Sequence, residues 1–200
     1  MKKIVFTLLF FTLIYGAKAQ ITGGGQEAPV AVPNSPKNAG LYFKAGISTP
    51  GSDLKANNFK SGYIAEFGFL MNFDQKKRII SGGVIIADDY AFYKREIGDG
   101  TTATETLSFL GIKVGPAIHI NPAGKLYLTA YYAVHGGWTL GKYYGIEQTD
   151  FKTSFMNAFG INLKYRPFII GMEFDSGSMK LQGNTELNFP TTRLTFGFSM

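Results

Sequence analysis

The chain has 200 residues, a size suited to one domain, with 20 Lys and Arg against 14 Asp and Glu. Its formal charge of +6 falls to +3 once Lys2, Lys3 and Lys18 of the leader described below are set aside, so no nucleic-acid partner is expected. The lack of cysteine excludes a disulfide framework, a thiolate metal site, a thiol nucleophile and a lipid-modified N-terminal cysteine, while 18 Phe, 11 Tyr and 25 Gly favour β structure with many turns.

The chain opens on Lys2-Lys3, an apolar run from Ile4 to Tyr15, and Ala17-Lys18-Ala19. That order is the signature of a secretory signal peptide over residues 1–19, and the run is too short to span a bilayer. Residues 20–39, with Gly23-Gly24-Gly25, Pro29, Pro33 and Pro36, read as a flexible linker. The glycine triplet has no following Lys-Ser/Thr and no preceding strand, so it is not read as a phosphate loop.

From residue 40 to 200 the recurring signal is period two, in pieces about as long as a tilted strand that crosses a bilayer. The first piece, about Leu41 to Ser48, sets Leu41, Phe43, Ala45 and Ile47 against Tyr42, Lys44 and Gly46. The second sets Tyr63, Ala65, Phe67, Phe69, Met71 and Phe73 against Ile64, Glu66, Gly68, Leu70 and Asn72. A weaker third runs from about Ile79 to Ala87, and a fourth, about Thr106 to Ile120, sets Leu110, Ile112, Val114, Ile118 and Ile120 against Gly111, Lys113, Gly115, Ala117 and His119. The fifth sets Leu126, Leu128, Ala130, Tyr132, Val134 and Trp138 against Tyr127, Thr129, Tyr131, Ala133 and His135. The sixth sets Phe159, Ile161, Leu163 and Tyr165 against Asn162 and Lys164; the seventh sets Phe168, Ile170, Met172 and Phe174 against Glu173 and Asp175. The eighth ends the chain, with Leu194, Phe196, Phe198 and Met200 on one face and Arg193, Thr195, Gly197 and Ser199 on the other.

Connections at residues 74–78, 121–124 and 166–167 are short, whereas those at about 48–61, 88–105, 139–152 and 176–189 are long. Short and long alternate, which places the two ends of every hairpin in different surroundings. An even number of antiparallel strands with short turns on the periplasmic side and long loops outside is the plan of an outer-membrane barrel. The expected fold is therefore all-β: an eight-stranded antiparallel up-and-down transmembrane β-barrel over residues 40–200. Tyr63, Trp138, Phe155 and Phe174 would mark its outer rim, and Phe73, Tyr165, Phe168 and Phe198 its inner one.

The signal peptide, the loop alternation and the terminal Leu194-Thr195-Phe196-Gly197-Phe198-Ser199-Met200 together resemble the small eight-stranded outer-membrane barrels of the OmpA/OmpX type. The resemblance implies the outer membrane of a Gram-negative-type cell, contact with outer-membrane lipid, a monomer, and handling by the barrel-insertion machinery. Members of that family usually end in an aromatic residue; here Met200 takes that place and Phe198 lies two before it.

A barrel of eight strands encloses room for its own side chains and little else, so a general pore is not expected. The inward faces carry Lys44, Lys113, Lys164 and Arg193 with Glu66 and Glu173, and small inward residues such as Gly68 and Gly160 make room for them. Buried charges need partners, so these read as an interior ion-pair network; the sharper alternative is a narrow gated ion path with excess positive charge. Tyr90, Phe92, Tyr93, Tyr143, Tyr144 and Phe189 fall in the long connections, where only solvent, lipid or an extracellular partner would cover them, and so are candidates for surface binding or adhesion. No cofactor is expected. Asp88, Asp89 and Asp99 match no calcium-loop spacing and read as a solvated loop.

Two other functions fit parts of the pattern. A lipid-modifying barrel enzyme would need a nucleophile and an orienting carboxylate beside a base; His135 has Glu173 and Asp175 as candidate orienters but no serine at an evident spacing, and His119 lies near a turn. No residue is assigned a catalytic role. A secreted lipocalin-like carrier would turn the greasy faces inward and the charges outward, and the Gly-x-Trp motif of that family is absent near the first strand.

Overall fold

The computed structural model describes residues 40–73, 79–97, 104–123, 126–148, 153–182 and 185–200. The expected signal peptide, linker, 74–78 turn and Asp99 lie outside the described residues.

Strands occupy β1 (Gly40–Pro50), β2 (Gly62–Asn72), β3 (Ile80–Glu96), β4 (Thr104–Ala123), β5 (Leu126–Tyr143), β6 (Ile146–Gln148), β7 (Thr153–Tyr165), β8 (Phe168–Lys180), β9 (Glu186–Asn188) and β10 (Thr191–Ser199), with one short helix α1 (Ser52–Ala56). Each long strand pairs antiparallel with its long neighbours in the order β1-β2-β3-β4-β5-β7-β8-β10. The ring then closes: β10 pairs with β8 on one side, Arg193 opposite Glu173, and with β1 on the other, Phe198 opposite Phe43. Closure leaves no long strand with an unpaired edge. The short strands extend the wall at the long-loop end, β6 on the edge of β5 that β7 uses lower down and β9 on the edge of β8 that β10 uses.

Period two in the sequence becomes two faces in the structure because successive strand side chains point to opposite sides. Burial alternates residue by residue along β10, whose Thr191, Arg193, Thr195, Gly197 and Ser199 are enclosed, while Phe196 is 50% exposed and Leu194 54%. The same alternation puts Phe43, Phe67, Val114, Ile118, Tyr132, Phe159 and Ile170 outside, and Lys44, Glu66, Lys113 and Glu173 inside. Apolar wall and charged interior are the reverse of a soluble barrel's polarity.

Three strands run well past their expected ends: β3 has 17 residues, β4 20 and β5 18. Residues 88–96 were expected in a loop because Asp88-Asp89 looks solvated, yet the alternation continues through them and Asp89, Ala91, Tyr93 and Arg95 all point inward. The long-loop end is thus built largely from projecting strand. The turn at Arg166-Pro167 and the paired ends of Met200 and Leu41 lie at the opposite, short-turn end.

Inside, three layers follow one another. Near the short turns Ser81, His119, Thr129 and Asn162 sit opposite each other across β3, β4, β5 and β7. Charged side chains fill the middle. At the long-loop end Leu54, Phe59, Tyr93, Leu107, Phe109, Met156, Met179, Leu181, Leu187 and Phe189 form an apolar cap.

Candidate functional site in the barrel lumen

Lys44 and Glu66 are cross-strand partners on β1 and β2, with Lys44 Nζ 3.1 Å from Glu66 Oε1. Lys113 of β4 reaches over from the facing wall. Its ammonium lies 2.8 Å from Glu66 Oε2 and also donates to Glu173 of β8. Arg193 NH1 lies 3.0 Å from Glu173 Oε1 and also donates to Asp89, and its Nε is 2.6 Å from Asp175 Oδ2. His135 completes the set, with Nε2 2.7 Å from Asp89 Oδ1 and Nδ1 3.7 Å from Asp175 Oδ1.

Neutral donors add to the cations. Tyr42 donates to Glu66 at 2.6 Å, Tyr131 donates to Glu173, and Thr191 donates to Asp175 at 2.8 Å. Both tyrosines lie flat across a glycine. A Cβ on Gly68 would fall 2.5 Å from the Tyr42 ring, and one on Gly160 2.2 Å from the Tyr131 ring, so these two glycines let the phenols reach the carboxylates.

The sequence suggested four cations against two carboxylates; the structure assembles a different balance. Asp89 and Asp175 join Glu66 and Glu173, giving four carboxylates to the three cations Lys44, Lys113 and Arg193. The remaining negative charge is one that a second proton on the His135 imidazole would cancel. Lys164 does not reach the network. It lies enclosed near the short turns, cross-strand from Tyr127, with no carboxylate within 4 Å among the described residues. His119, in the same lower layer, has Nδ1 2.9 Å from Thr129 Oγ1 and Nε2 3.3 Å from the Met71 carbonyl oxygen.

The apolar cap rests directly on the charges. The Phe109 ring meets the His135 ring edge-on at 5.0 Å, and Phe189 lies against both Phe109 and Tyr93. Tyr93 Oη is 2.5 Å from Ser48 Oγ. Chemically the site can hold charge in place; His135 has a carboxylate near each ring nitrogen and, among the described residues, no hydroxyl partner.

The six loop candidates separate. Tyr93 and Phe189 are fully buried in the cap, a correction that follows from the unforeseen length of β3 and from the inward fold of the segment after β9. Tyr90 and Phe92 belong to the outward face of β3, not to a loop, and Tyr90 Oη is 2.9 Å from Ser108 Oγ. Tyr143 packs against the cap, whereas Tyr144 is 62% exposed at the β5–β6 turn. Asp88 faces outward and Asp89 inward, so the pair cannot share a cation.

Sequence reasoning missed a second cluster, above the cap. The guanidinium of Arg95 grips Glu105 through Nε at 2.9 Å and NH2 at 2.5 Å, and lies 4.0 Å from the Tyr144 ring and 5.2 Å from that of Phe59. Glu105 also accepts the backbone N–H of Gly145 at 2.6 Å and of Tyr144 at 3.0 Å, while Tyr144 donates to Asn57 Oδ1 at 2.7 Å. Burial would push the Glu105 carboxyl up, but the Gly145 and Tyr144 amides and Arg95 outweigh it and hold its pKa below the usual range. This residue stands at the far end of β4, beyond the apolar belt. The only sequence signal for the clamp was the inward parity of Arg95, hidden once residues 88–105 were read as loop.

Closed antiparallel ring, apolar wall and paired interior charges define a small eight-stave β-barrel. No protein-family model matches the chain, and no curated protein sequence matches it. Among solved structures it is similar to Neisserial surface protein A, with 13% identity, a TM-score of 0.49, and coverage of 82% of this chain and 99% of that one. It is also similar to Ail, the attachment invasion locus protein of Yersinia pestis, solved in complex with the heparin analogue sucrose octasulfate, with 16% identity, a TM-score of 0.44, and coverage of 82% and 100%. The closure of the ring rests on the strand pairing itself and not on these likenesses.

Proposed function

We propose that this chain is an integral outer-membrane β-barrel with a filled, non-conducting lumen, whose projecting end binds a partner at the cell surface. The reversed polarity of the wall carries the reading. Burying the large outward side chains in hydrocarbon is favourable by about 25 cal/mol per Å², and only a closed ring satisfies strand backbone groups there. In water the same wall would be one continuous apolar surface.

The charged interior and apolar cap support a structural lumen over an ion path, because the cations and carboxylates are paired with one another and aromatic rings pack over them. The position of His135 between Asp89 and Asp175 supports a balancing role over a catalytic one. Surface binding is favoured by the Arg95–Glu105 clamp, which ties residues 54–59, β3, β4 and the β5–β6 turn into one body and so lowers the ordering cost of binding. Membrane fractionation followed by gel migration with and without boiling tests the barrel reading. The expected result is a membrane-bound band whose mobility changes on heating; a soluble protein indifferent to heat would overturn it.

A further inference from the structure

One cleft on the outer wall plays no part in lumen or clamp. It is a shallow, open depression of about 530 Å³ lined by Ser176, Gly177, Ser178, Glu186, Asn188 and Pro190. It opens where the alternation of β8 lapses: Ser176 is exposed, and Gly177 and Ser178 are both half-buried. Gly177 has φ +155°, and a Cβ there would lie 2.7 Å from the Phe155 carbonyl oxygen, so no other residue fits this backbone. β9 supplies the other wall, with Ser178 opposite Asn188 and Lys180 opposite Glu186.

Depth and chemistry select the occupant. Ser176 is eight residues above Phe168, the first residue of β8, which at about 3.3 Å per residue and a tilt near 40° is roughly 20 Å, close to the upper edge of a belt about 25 Å tall. Below the cleft Phe174 is 44% exposed, and beside it Phe155, cross-strand from Ser178, is 63% exposed. The lining offers two hydroxyls and an amide, each able to donate and to accept. Its one ionisable side chain is the Glu186 carboxylate, which repels a phosphate or sulfate, and Lys180, whose Nζ lies 3.9 Å from it, is not part of the lining.

We propose that this cleft seats the uncharged saccharide headgroup of an outer-leaflet glycolipid, its ring hydroxyls on Ser176, Ser178 and Asn188 and its acyl chains along Phe174 and Phe155. The proposal rests on the membrane reading above. The acyl chains hold the headgroup at this depth, so the ligand is lipid-borne sugar and not free sugar.

The test uses the full folded chain in phosphatidylethanolamine nanodiscs containing equal amounts of monoglucosyl diacylglycerol and phosphatidylglycerol with matched chains, with retained lipid read by native mass spectrometry. The glucosyl lipid should be retained about fivefold over phosphatidylglycerol, the worth of roughly one net hydrogen bond. Ser178→Leu and Asn188→Leu should each bring the two lipids to parity, and Thr106→Leu on another wall should not. Asn188 is an exposed, outward residue of the three-residue strand β9, so its variant reports on the cleft even where Ser178→Leu does not fold. Equal retention by the wild-type protein, no effect of Asn188→Leu, or displacement of the glycolipid by millimolar methyl glucoside would each overturn the proposal. Failure of the membrane reading would show differently, as a chain that does not enter the nanodisc.

Discussion

Replacing Arg193 with methionine gives the sharpest test of the lumen. The guanidinium is 1% exposed and contacts three carboxylates, those of Asp89, Glu173 and Asp175. Methionine keeps the stem's packing but leaves four buried carboxylates facing Lys44 and Lys113. Removing one partner from a buried pair costs about 3–5 kcal/mol, most of it the penalty for the charge left behind. With a urea slope near 2 kcal/mol per M, the unfolding midpoint should fall by about 2 M. The measurement is equilibrium unfolding from lipid vesicles, followed by the heat-sensitive gel mobility of the folded form. Adding Asp175→Asn to Arg193→Met removes one orphaned charge and should recover part of the loss, a coupling that a double-mutant cycle isolates. A loss below about 1 kcal/mol, or strict additivity of the two changes, would refute the view that these charges are dry and mutually dependent.

Other outcomes follow from the same geometry. Gly160→Ala puts a methyl 2.2 Å from the Tyr131 ring and should cost about 1–3 kcal/mol in the same unfolding experiment. Leu194→Arg, on the outward face of β10 and cross-strand from Met172 near mid-belt, should destabilise the lipid-embedded protein by about 2–4 kcal/mol; a soluble barrel would show no such loss. Glu105→Gln should speed hydrogen exchange at the Tyr144 and Gly145 amides and lower the global unfolding midpoint by less than Arg193→Met does. Because the Glu105 pKa is depressed in the fold, its contribution is complete above the ordinary glutamate range and is lost as pH falls through the lower folded value. Protection of those amides in the wild-type protein should therefore decline in acid, and the glutamine variant should lack that dependence.

Which residues face inward was legible wherever the sequence kept strict alternation. Lys44, Glu66, Lys113, Glu173 and Arg193 stand together in the structure because each sits at an inward position of a regular strand. Lys164 has the same parity but lies elsewhere, since parity gives the face and says nothing of height; height depends on the stagger between strands, fixed only when the ring closes. Asp89 was obscured by its neighbour Asp88, two acids in a row being as natural in a loop as astride the two faces of a strand. Helix α1 and the short strands β6 and β9 carry no periodic signal, being 5, 3 and 3 residues long. The outer cleft depends on a lapse of alternation, which a search for alternation passes over.

The placement of Arg193 also bears on how the ring assembles. Its strand, β10, is the one whose two edges join β8 to β1. Arg193 already faces Glu173 across the β8–β10 pair, whereas Asp89 stands on β3, which meets the guanidinium only across the lumen of the closed ring. The seam between β10 and β1 therefore carries more than backbone pairing: it is the join that sets a β3 carboxylate against a β10 guanidinium, so the ion pairs reward the closed ring and not any neighbouring pair of staves alone.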